Sequence, residues 1–295
     1  MSLGIMIKGS EGVVLAADSR VTLFNQVQQQ QPGPGAAVPP PLLVIPANFD
    51  NATKVLKIKG QDYVGAVTYG LGAFMTANGP RTMQSFIPEF EQELEQAHAG
   101  RLPVPEFANR LSVFFTQQWN QHVNRPANPG EEINFLVGGY DEGAPYGRAF
   151  SSVIPNQPNP VEQNPGPGQF GITWGGQHDL VFRLLYGFDV ELLEFIRANL
   201  NLTPEQLAAL RQQIEPKFAA GIPFQFLPLQ DAVDLAVFLI QSTISFQKFR
   251  TTVVRGVGGP VEVATVTRDG FKFVSQKSIS VEGQRNFSVA AGDRR

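Results

Sequence analysis

Two residues near the start of the chain, Ser2 and Asp18, have types and a spacing that could support hydrolysis. Residues 4–8 and 13–17 are short apolar runs on either side of a Gly-Ser-Glu-Gly turn, which predicts a hairpin. Opposite residues of that hairpin have numbers that sum to about 21, so Asp18 should lie opposite Leu3 and beside Ser2. Local geometry alone therefore carries a carboxylate to the first residues of the chain.

Ser2 would have the chemistry of an N-terminal nucleophile once Met1 is removed. Ser is small, and an initiator Met before a small residue is normally removed, which leaves a hydroxyl and a free α-amine on one residue. Such an amine has an ordinary pKa of about 7.7–8.0, close enough to neutrality to take the proton of the hydroxyl. The alternative interpretation of Asp18 is that it only ends a strand and opens a turn.

The elements that must position these residues alternate between strands and helices. Their order is strands, two helices, strands, helices, strands, which predicts an α+β fold with two antiparallel sheets stacked between helical layers. Thr203-Pro204-Glu205-Gln206 predicts a helix start with a capping box. After the first hairpin, the predicted strands are 54–58, 63–70, 133–141, 146–155 and a pair within 259–274, and the predicted helices are 72–100, 104–124, a block within 180–228, and 229–249.

The composition excludes several classes of function. Charged residues make up 17% of the chain and the formal net charge is −3, which argues against a nucleic-acid partner. Cys is absent and the three His lack the spacing of metal ligands, so we expect no metal and no other cofactor. The first residues lack a secretory signal pattern, and the longest apolar run, residues 235–240, is too short for a membrane span. We therefore expect a cytoplasmic protein with no membrane partner.

Two Pro-rich stretches interrupt the pattern without requiring a domain boundary. Residues 26–47 are rich in Gln and Pro, and residues 155–168 are rich in Pro and Asn. We expect a single domain over residues 1–295, with both stretches as surface insertions. Residues 280–295 have the composition of a flexible tail.

Five stretches, in order, resemble the β-type subunits of the proteasome, which are N-terminal nucleophile hydrolases. The resemblance rests on MIKGSEGVVLAADSRVT, KVLKI, GAVTYGLG, NFLVGGYDEGAPYGRAF and VGGPVEVATVTRDGFKF. It covers most of the chain outside the Pro-rich stretches and part of the 180–228 block, and it indicates a divergent bacterial proteasome-like protein. The resemblance implies a four-layer αββα sandwich of two antiparallel sheets between helix pairs.

The resemblance also implies roles for individual residues. It places the nucleophile at Ser2, with Asp18 and Arg20 following it, and a buried positive charge that tunes the hydroxyl at Lys54. A backbone N–H of the oxyanion hole falls at Gly70, where close approach of the substrate favours glycine. Further family positions fall at Thr22, which would pair with an extended peptide, and around the pocket at Val21, Ala52, Leu56, Thr68, Gly72 and Thr76.

The chain departs from the family pattern at four places. The nucleophile would be Ser and not Thr, and a family serine matches Gly175. The late Asp and Ser of the family align with Val254 and Val257, so the hydrogen bonds to the terminal amine must come from elsewhere. The fourth departure is the 26–47 insertion, which lies where the family forms one wall of its pocket.

These observations predict an N-terminal nucleophile peptidase acting on peptide or unfolded-protein substrates within a homo-oligomeric ring, with a possible ATPase partner. One alternative is a structural ring subunit without catalysis, favoured by the missing auxiliary groups. The other is an N-terminal nucleophile amidohydrolase for small amides. A pure binding module would leave the Asp18–Lys54 pair unexplained.

Overall fold

The computed structural model describes residues 2–27, 43–97, 100–123, 131–250 and 255–277. Most of the first Pro-rich stretch, Val254 and the predicted tail at 280–295 lie outside the described residues. The strands are β1 (Leu3–Lys8), β2 (Val13–Ala17), β3 (Val21–Val27), β4 (Leu43–Phe49), β5 (Val55–Leu56), β6 (Val64–Gly70), β7 (Ala73–Thr76), β8 (Gly79–Thr82), β9 (Ile133–Gly139), β10 (Arg148–Ile154), β11 (Gln157–Glu162), β12 (Gly171–Gly176), β13 (Glu262–Thr267) and β14 (Gly270–Ser275). The helices are α1 (Ile87–Gln96), α2 (Val104–His122), α3 (Asp179–Tyr186), α4 (Val190–Leu200), α5 (Pro204–Phe218) and α6 (Leu229–Gln247), and a short 3₁₀ helix covers Met83–Phe86.

Two five-stranded antiparallel sheets form the centre of the molecule. Sheet A has the strand order β12-β1-β2-β13-β14, and sheet B has the order β11-β10-β9-β6-β5. Two ribbons, β3-β4 and β7-β8, extend from these sheets. The α+β class predicted from the element order is therefore confirmed.

The first hairpin forms in the predicted register. The Gly9 N–H donates to the Gly12 carbonyl at 2.9 Å and closes the turn between β1 and β2. Gly4 lies opposite Ala17 and Ile5 opposite Ala16. One further step along this register places Asp18 opposite Leu3, because the Asp18 N–H donates to the Leu3 carbonyl at 3.3 Å.

Three apolar clusters define the layers. Helices α1 and α2 pack on the outer face of sheet B, and α3 and α6 pack on the outer face of sheet A. The third cluster lies between the sheets and joins Met6 and Leu15 to Val67 and Leu136. Strands buried on both faces are apolar at nearly every position, which explains the continuous apolar runs of β1 and β2.

The predicted helix at 72–100 is wrong in its first half. Residues 73–82 form the β7-β8 ribbon, and α1 begins only at Ile87. Ala77 and Asn78 form the turn, and Gly79 follows it at φ +109°, a conformation that favours glycine. Pro80 follows directly and is incompatible with a helix interior.

The second Pro-rich stretch contains a strand where the sequence predicted an irregular insertion. Residues 157–162 form β11, which pairs with β10 at the edge of sheet B. Proline lacks the N–H that a central strand must donate, but an edge strand donates on one side only. Pro158 and Pro160 are therefore compatible with this position.

The helical block after β12 begins and ends near its predicted bounds. Thr203 and Gln206 form the expected capping box at the start of α5. Helix α6 is the one described helix that is long and apolar enough, by length and composition, to cross a membrane. Its buried residues, including Ala236, Leu239 and Ile240, pack against sheet A.

Candidate active site

Asp18 lies at the end of β2 and receives three backbone N–H groups. Leu3 donates to its Oδ1 at 3.0 Å, while Arg20 and Gly258 donate to its Oδ2 at 3.1 and 2.9 Å. The residue has no solvent exposure. Such a set of donors stabilises a buried carboxylate and fixes its orientation.

Lys54 joins Asp18 to the hydroxyl of Ser2. Its Nζ lies 3.0 Å from Ser2 Oγ, 2.7 Å from Asp18 Oδ1 and 2.6 Å from the Arg20 carbonyl. These three acceptors match the three protons of an ammonium group. Lys54 and Ser2 are each only 4% exposed, so the contact between them is shielded from water.

Burial changes the pKa of the Lys54 ammonium group. Desolvation lowers the pKa of Lys54 below its ordinary value, although the charge of Asp18 and its hydrogen bond act in the opposite direction. A lysine with a lowered pKa is a better proton donor to a neighbouring oxygen. The arrangement can therefore stabilise negative charge on Ser2 Oγ.

Arg20 does not direct its side chain to Ser2. Its guanidinium forms two hydrogen bonds with Asp50, at 2.5 and 2.8 Å, and a third with the Arg255 carbonyl at 3.1 Å. The two hydrogen bonds to Asp50 join the residue before β3 to the residue after β4. Arg20 reaches the site through its main chain, because its carbonyl accepts from Lys54 and its N–H donates to Asp18.

A second ion pair, which the sequence analysis missed, lies behind Lys54. Glu262 is 1% exposed, and its Oε2 accepts the Lys54 N–H at 3.3 Å. Lys277 lies 3.0 Å from Glu262 Oε1 and also donates to the Ala52 carbonyl at 2.6 Å and to Ser19 Oγ at 3.2 Å. The pair therefore fixes the main chain on both sides of the Asp18–Lys54 contact.

A cavity opens beside Ser2 and Lys54. It is lined by several of the residues expected there, namely Val21, Ala52, Thr68, Gly70 and Gly72, together with Tyr69, Leu71, Thr82 and Met83. Leu56 is absent from the lining and packs in the outer core of sheet B, and Thr76 bonds to the Gly79 carbonyl in the β7-β8 turn. Thr22 lies on β3, where its hydroxyl donates to Asn48 at 2.8 Å.

Gly70 has a conformation and surroundings that exclude other residues. Its φ is +98°, and a Cβ at this position would lie 2.1 Å from the Glu132 carbonyl oxygen. The residue therefore has to be glycine at the point where β6 reaches the cavity. Its main chain is accessible to a molecule bound beside Ser2.

The departures at Gly175 and Val257 have structural explanations. A Cβ at Gly175 would lie 2.2 Å from Tyr69 Oη, so the tyrosine occupies the space that a side chain would need. Val257 is buried, and the next residue, Gly258, holds Asp18 through its main chain. Neither Tyr69 nor Gly258 carries a sequence signal for these contacts.

Within the described residues, no group of three His, Asp or Glu side chains is placed to hold a metal ion.

Comparison with known proteins gives a structural relationship at low sequence identity. No protein-family model and no curated protein sequence matches the chain. Among solved structures, the fold is similar to that of the Anbu (Gly-1) mutant from Hyphomicrobium sp. strain MC1, with a TM-score of 0.52 and 14% identity. The similarity covers 96% of this chain and 88% of that chain. The chain therefore shares the Anbu fold, and at this identity the similarity concerns the fold alone.

Proposed function

We propose that the protein is an N-terminal nucleophile peptidase in which Ser2, freed of Met1, attacks the carbonyl of a peptide bond. The contact that supports this proposal is the bridge that Lys54 Nζ forms between Ser2 Oγ and Asp18 Oδ1, at 3.0 and 2.7 Å. A buried ammonium that contacts both a buried carboxylate and a hydroxyl at the rim of a cavity is typical of a catalytic site.

The reaction would proceed in two steps. The free α-amine takes the proton of Ser2 Oγ, and the oxygen bonds to the substrate carbonyl carbon while the Lys54 ammonium stabilises the developing charge. The Gly70 N–H would donate to the carbonyl oxygen as it becomes negative. The amine returns the proton to the leaving nitrogen, the C–N bond breaks, and an ester on Ser2 remains. Water then hydrolyses that ester by the same proton route.

The cavity favours an uncharged residue on the acyl side of the bond. Apart from Ser2 and Lys54, its lining consists of apolar residues, threonines, glycines and Tyr69. The substrate would lie extended along β3, near Thr22, because within the described chain β3 pairs with one strand only. Peptides and unfolded chains satisfy this requirement, and enclosure in a homo-oligomeric ring supplied by an ATPase would restrict access to such substrates.

Covalent trapping tests the proposed nucleophile. Intact mass is measured before and after incubation with a peptide epoxyketone, which reacts with an N-terminal hydroxyl and its α-amine together. We expect loss of Met1 and a single stoichiometric adduct, absent in Ser2→Ala and retained in Ser10→Ala, a change in the first hairpin turn. Processed wild-type protein that takes no adduct would contradict the peptidase and leave the structural ring subunit as the better interpretation.

Light scattering separates the peptidase from an amidohydrolase for small amides. A peptidase that encloses its site in a ring should elute at a multiple of the chain mass. A monomer that takes the epoxyketone adduct and hydrolyses small amides would instead favour the amidohydrolase.

A further inference from the structure

The surrounding structure covers most of the Tyr69 side chain, which lies beside the cavity next to Ser2. Burial raises the pKa of Tyr69 to about 12, so the hydroxyl stays protonated at neutral pH. Among the described residues no group accepts from its Oη or donates to it. The side chain is only partly exposed, so its hydroxyl is available to a group that lies beside the cavity.

The position of the ring directs this hydroxyl toward the start of the chain. Tyr69 and Val67 lie on the face of β6 that packs against sheet A. Ideal Cβ positions at Gly4 and Gly175 would lie 2.7 Å from Tyr69 Cδ1 and 2.2 Å from Tyr69 Oη. Gly4 and Gly175 lie opposite each other on β1 and β12, and the ring lies over this pair. Ser2 is two positions before Gly4 and therefore lies on the same face of the sheet. Ser2 and Tyr69 also line the same cavity.

A second unpartnered group lies on the residue opposite Ser2. The Gln177 N–H donates to the Ser2 carbonyl at 2.7 Å, which continues the β1-β12 pairing to the first residues. Gln177 is 8% exposed, and its Oε1 is buried without a hydrogen-bond partner in the described chain. The end of β12 therefore holds a buried acceptor next to the residue that would become the N-terminus.

We propose that Tyr69 Oη and Gln177 Oε1 hold the α-amine of Ser2 after Met1 is removed. This inference rests on the proposed function, since it assigns partners to the amine that acts there as the base. The two acceptors receive hydrogens of the new ammonium group, and the amine in turn gives the buried Gln177 Oε1 a hydrogen-bond partner. Tyr69 and Gln177 are thus positioning residues, and Gly175 is small because the Tyr69 ring occupies the space beside it.

The test measures the titration of the amine, which does not depend on catalysis. The full chain is released from a cleavable N-terminal fusion so that Ser2 is the first residue. Competitive acetylation at a series of pH values, read from the mass of the N-terminal peptide, gives the pKa of the α-amine. Acceptors favour the charged form, so Tyr69→Phe should lower this pKa by about one unit. Tyr146→Phe, the same change at a partly exposed tyrosine, should leave it unchanged.

A rescue variant separates the hydroxyl from the packing of the ring. Tyr69→Ala should lower the pKa of the amine, and Tyr69→Ala with Gly175→Ser should restore most of it, because a serine there returns a hydroxyl to the vacated space. An unchanged pKa in Tyr69→Phe, or an equal shift in Tyr146→Phe, would overturn the inference. If the parent chain takes no epoxyketone adduct, the proposed function fails while the titration still tests the two acceptors.

Discussion

At the scale of residues, the geometry of the site depends on how completely its two buried charged groups are hydrogen-bonded to the protein. Asp18 accepts from three main-chain N–H groups and from Lys54, and Lys54 donates to three oxygens. Each group is therefore positioned by more contacts than it needs for charge balance alone. Such redundancy fixes the distance from Lys54 Nζ to Ser2 Oγ, on which the proposed reaction depends.

Removal of the Lys54 charge should affect stability and reactivity together. Lys54→Met leaves Asp18 buried without its counter-ion, and we expect a loss of about 3–5 kcal/mol in the free energy of unfolding. The epoxyketone reaction should slow by at least about 100-fold, as for loss of one electrostatic donor. Urea unfolding and adduct kinetics measure the two effects. Because Lys54 and Asp18 are in contact, Lys54→Met with Asp18→Asn should lose less than the sum of the single changes, and strict additivity would contradict the coupling.

At the scale of elements, two ion pairs attach flanking segments to the strands that carry the site. The two hydrogen bonds between Arg20 and Asp50 join the strands of the β3-β4 ribbon at its open end, just before β3 and just after β4. The Glu262–Lys277 pair joins the first residue of β13 to the last described residue of the chain and to the segment before β5. Both pairs act on the main chain near Lys54 and neither contacts Ser2.

The Arg20–Asp50 pair predicts a pH dependence of stability. Its hydrogen bonds lower the pKa of Asp50, so its contribution is present above the ordinary pKa of an aspartate and is lost as pH falls through the lowered value. Since the Asp50 side chain is 43% exposed, we expect Asp50→Asn to cost only about 0.5–1 kcal/mol at pH 7. Urea unfolding should show this difference shrinking toward zero in acid. Asp62→Asn, in an exposed pair, is the control, and a difference for Asp50→Asn that persists in acid would count against the assignment.

The Glu262–Lys277 pair predicts a larger effect on the free energy of unfolding, because Glu262 is buried. Lys277→Met leaves Glu262 buried without a counter-ion, so the free energy of unfolding should fall by about 3 kcal/mol. Lys272→Met, at an exposed position of β14, should change it by less than about 0.5 kcal/mol. Thermal and urea unfolding of the two variants compare them directly. Equal stabilities would show that the pair does not hold the segment before Lys54.

At the scale of the whole molecule, the site depends on how closely the two sheets approach each other. Glycines on the inner faces allow this approach: Gly4 faces Tyr69 and Val67, and Gly138 faces Val13 and Met6. The separation of the sheets sets the distance from Ser2 and Asp18 on sheet A to Lys54 and Gly70 at sheet B. A change in packing far from the cavity should therefore reach the site.

Overpacking between the sheets tests this dependence. A Cβ at Gly65 would lie 2.4 Å from Phe271 Cε2 and 3.0 Å from Leu15 Cδ1, so Gly65→Ala should destabilise the protein by about 1–3 kcal/mol and slow the epoxyketone reaction. A Cβ at Gly100 meets no atom within 4 Å, and Gly100→Ala serves as the matched control. Unfolding and adduct kinetics are measured on both. A Gly65→Ala protein as stable and reactive as the control would show that the sheet spacing is not limiting.

Much of the fold was predictable because its signals are local. The hairpin register follows from a four-residue turn, and the start of α5 follows from one capping box. The β7-β8 ribbon was missed because its two-residue turn, Ala77-Asn78, lies inside a stretch whose sequence pattern resembles that of a helix. Strand β11 was missed because its prolines are acceptable only at a sheet edge, and an edge cannot be recognised before the sheet is assembled.

The sequence by itself determined that Asp18 lies beside the first residues, since fifteen residues of hairpin suffice to bring them together. The resemblance of the ordered motifs to proteasome β-type subunits added Lys54 and Gly70 to the predicted site. Only the tertiary structure brought in Tyr69, Gln177, Gly258, Glu262 and Lys277, which reach the site from other strands and from loops as far as 258 positions away. Such contacts leave no local pattern, because a buried polar residue reads the same in sequence whether its partner is a core main-chain group or a catalytic side chain.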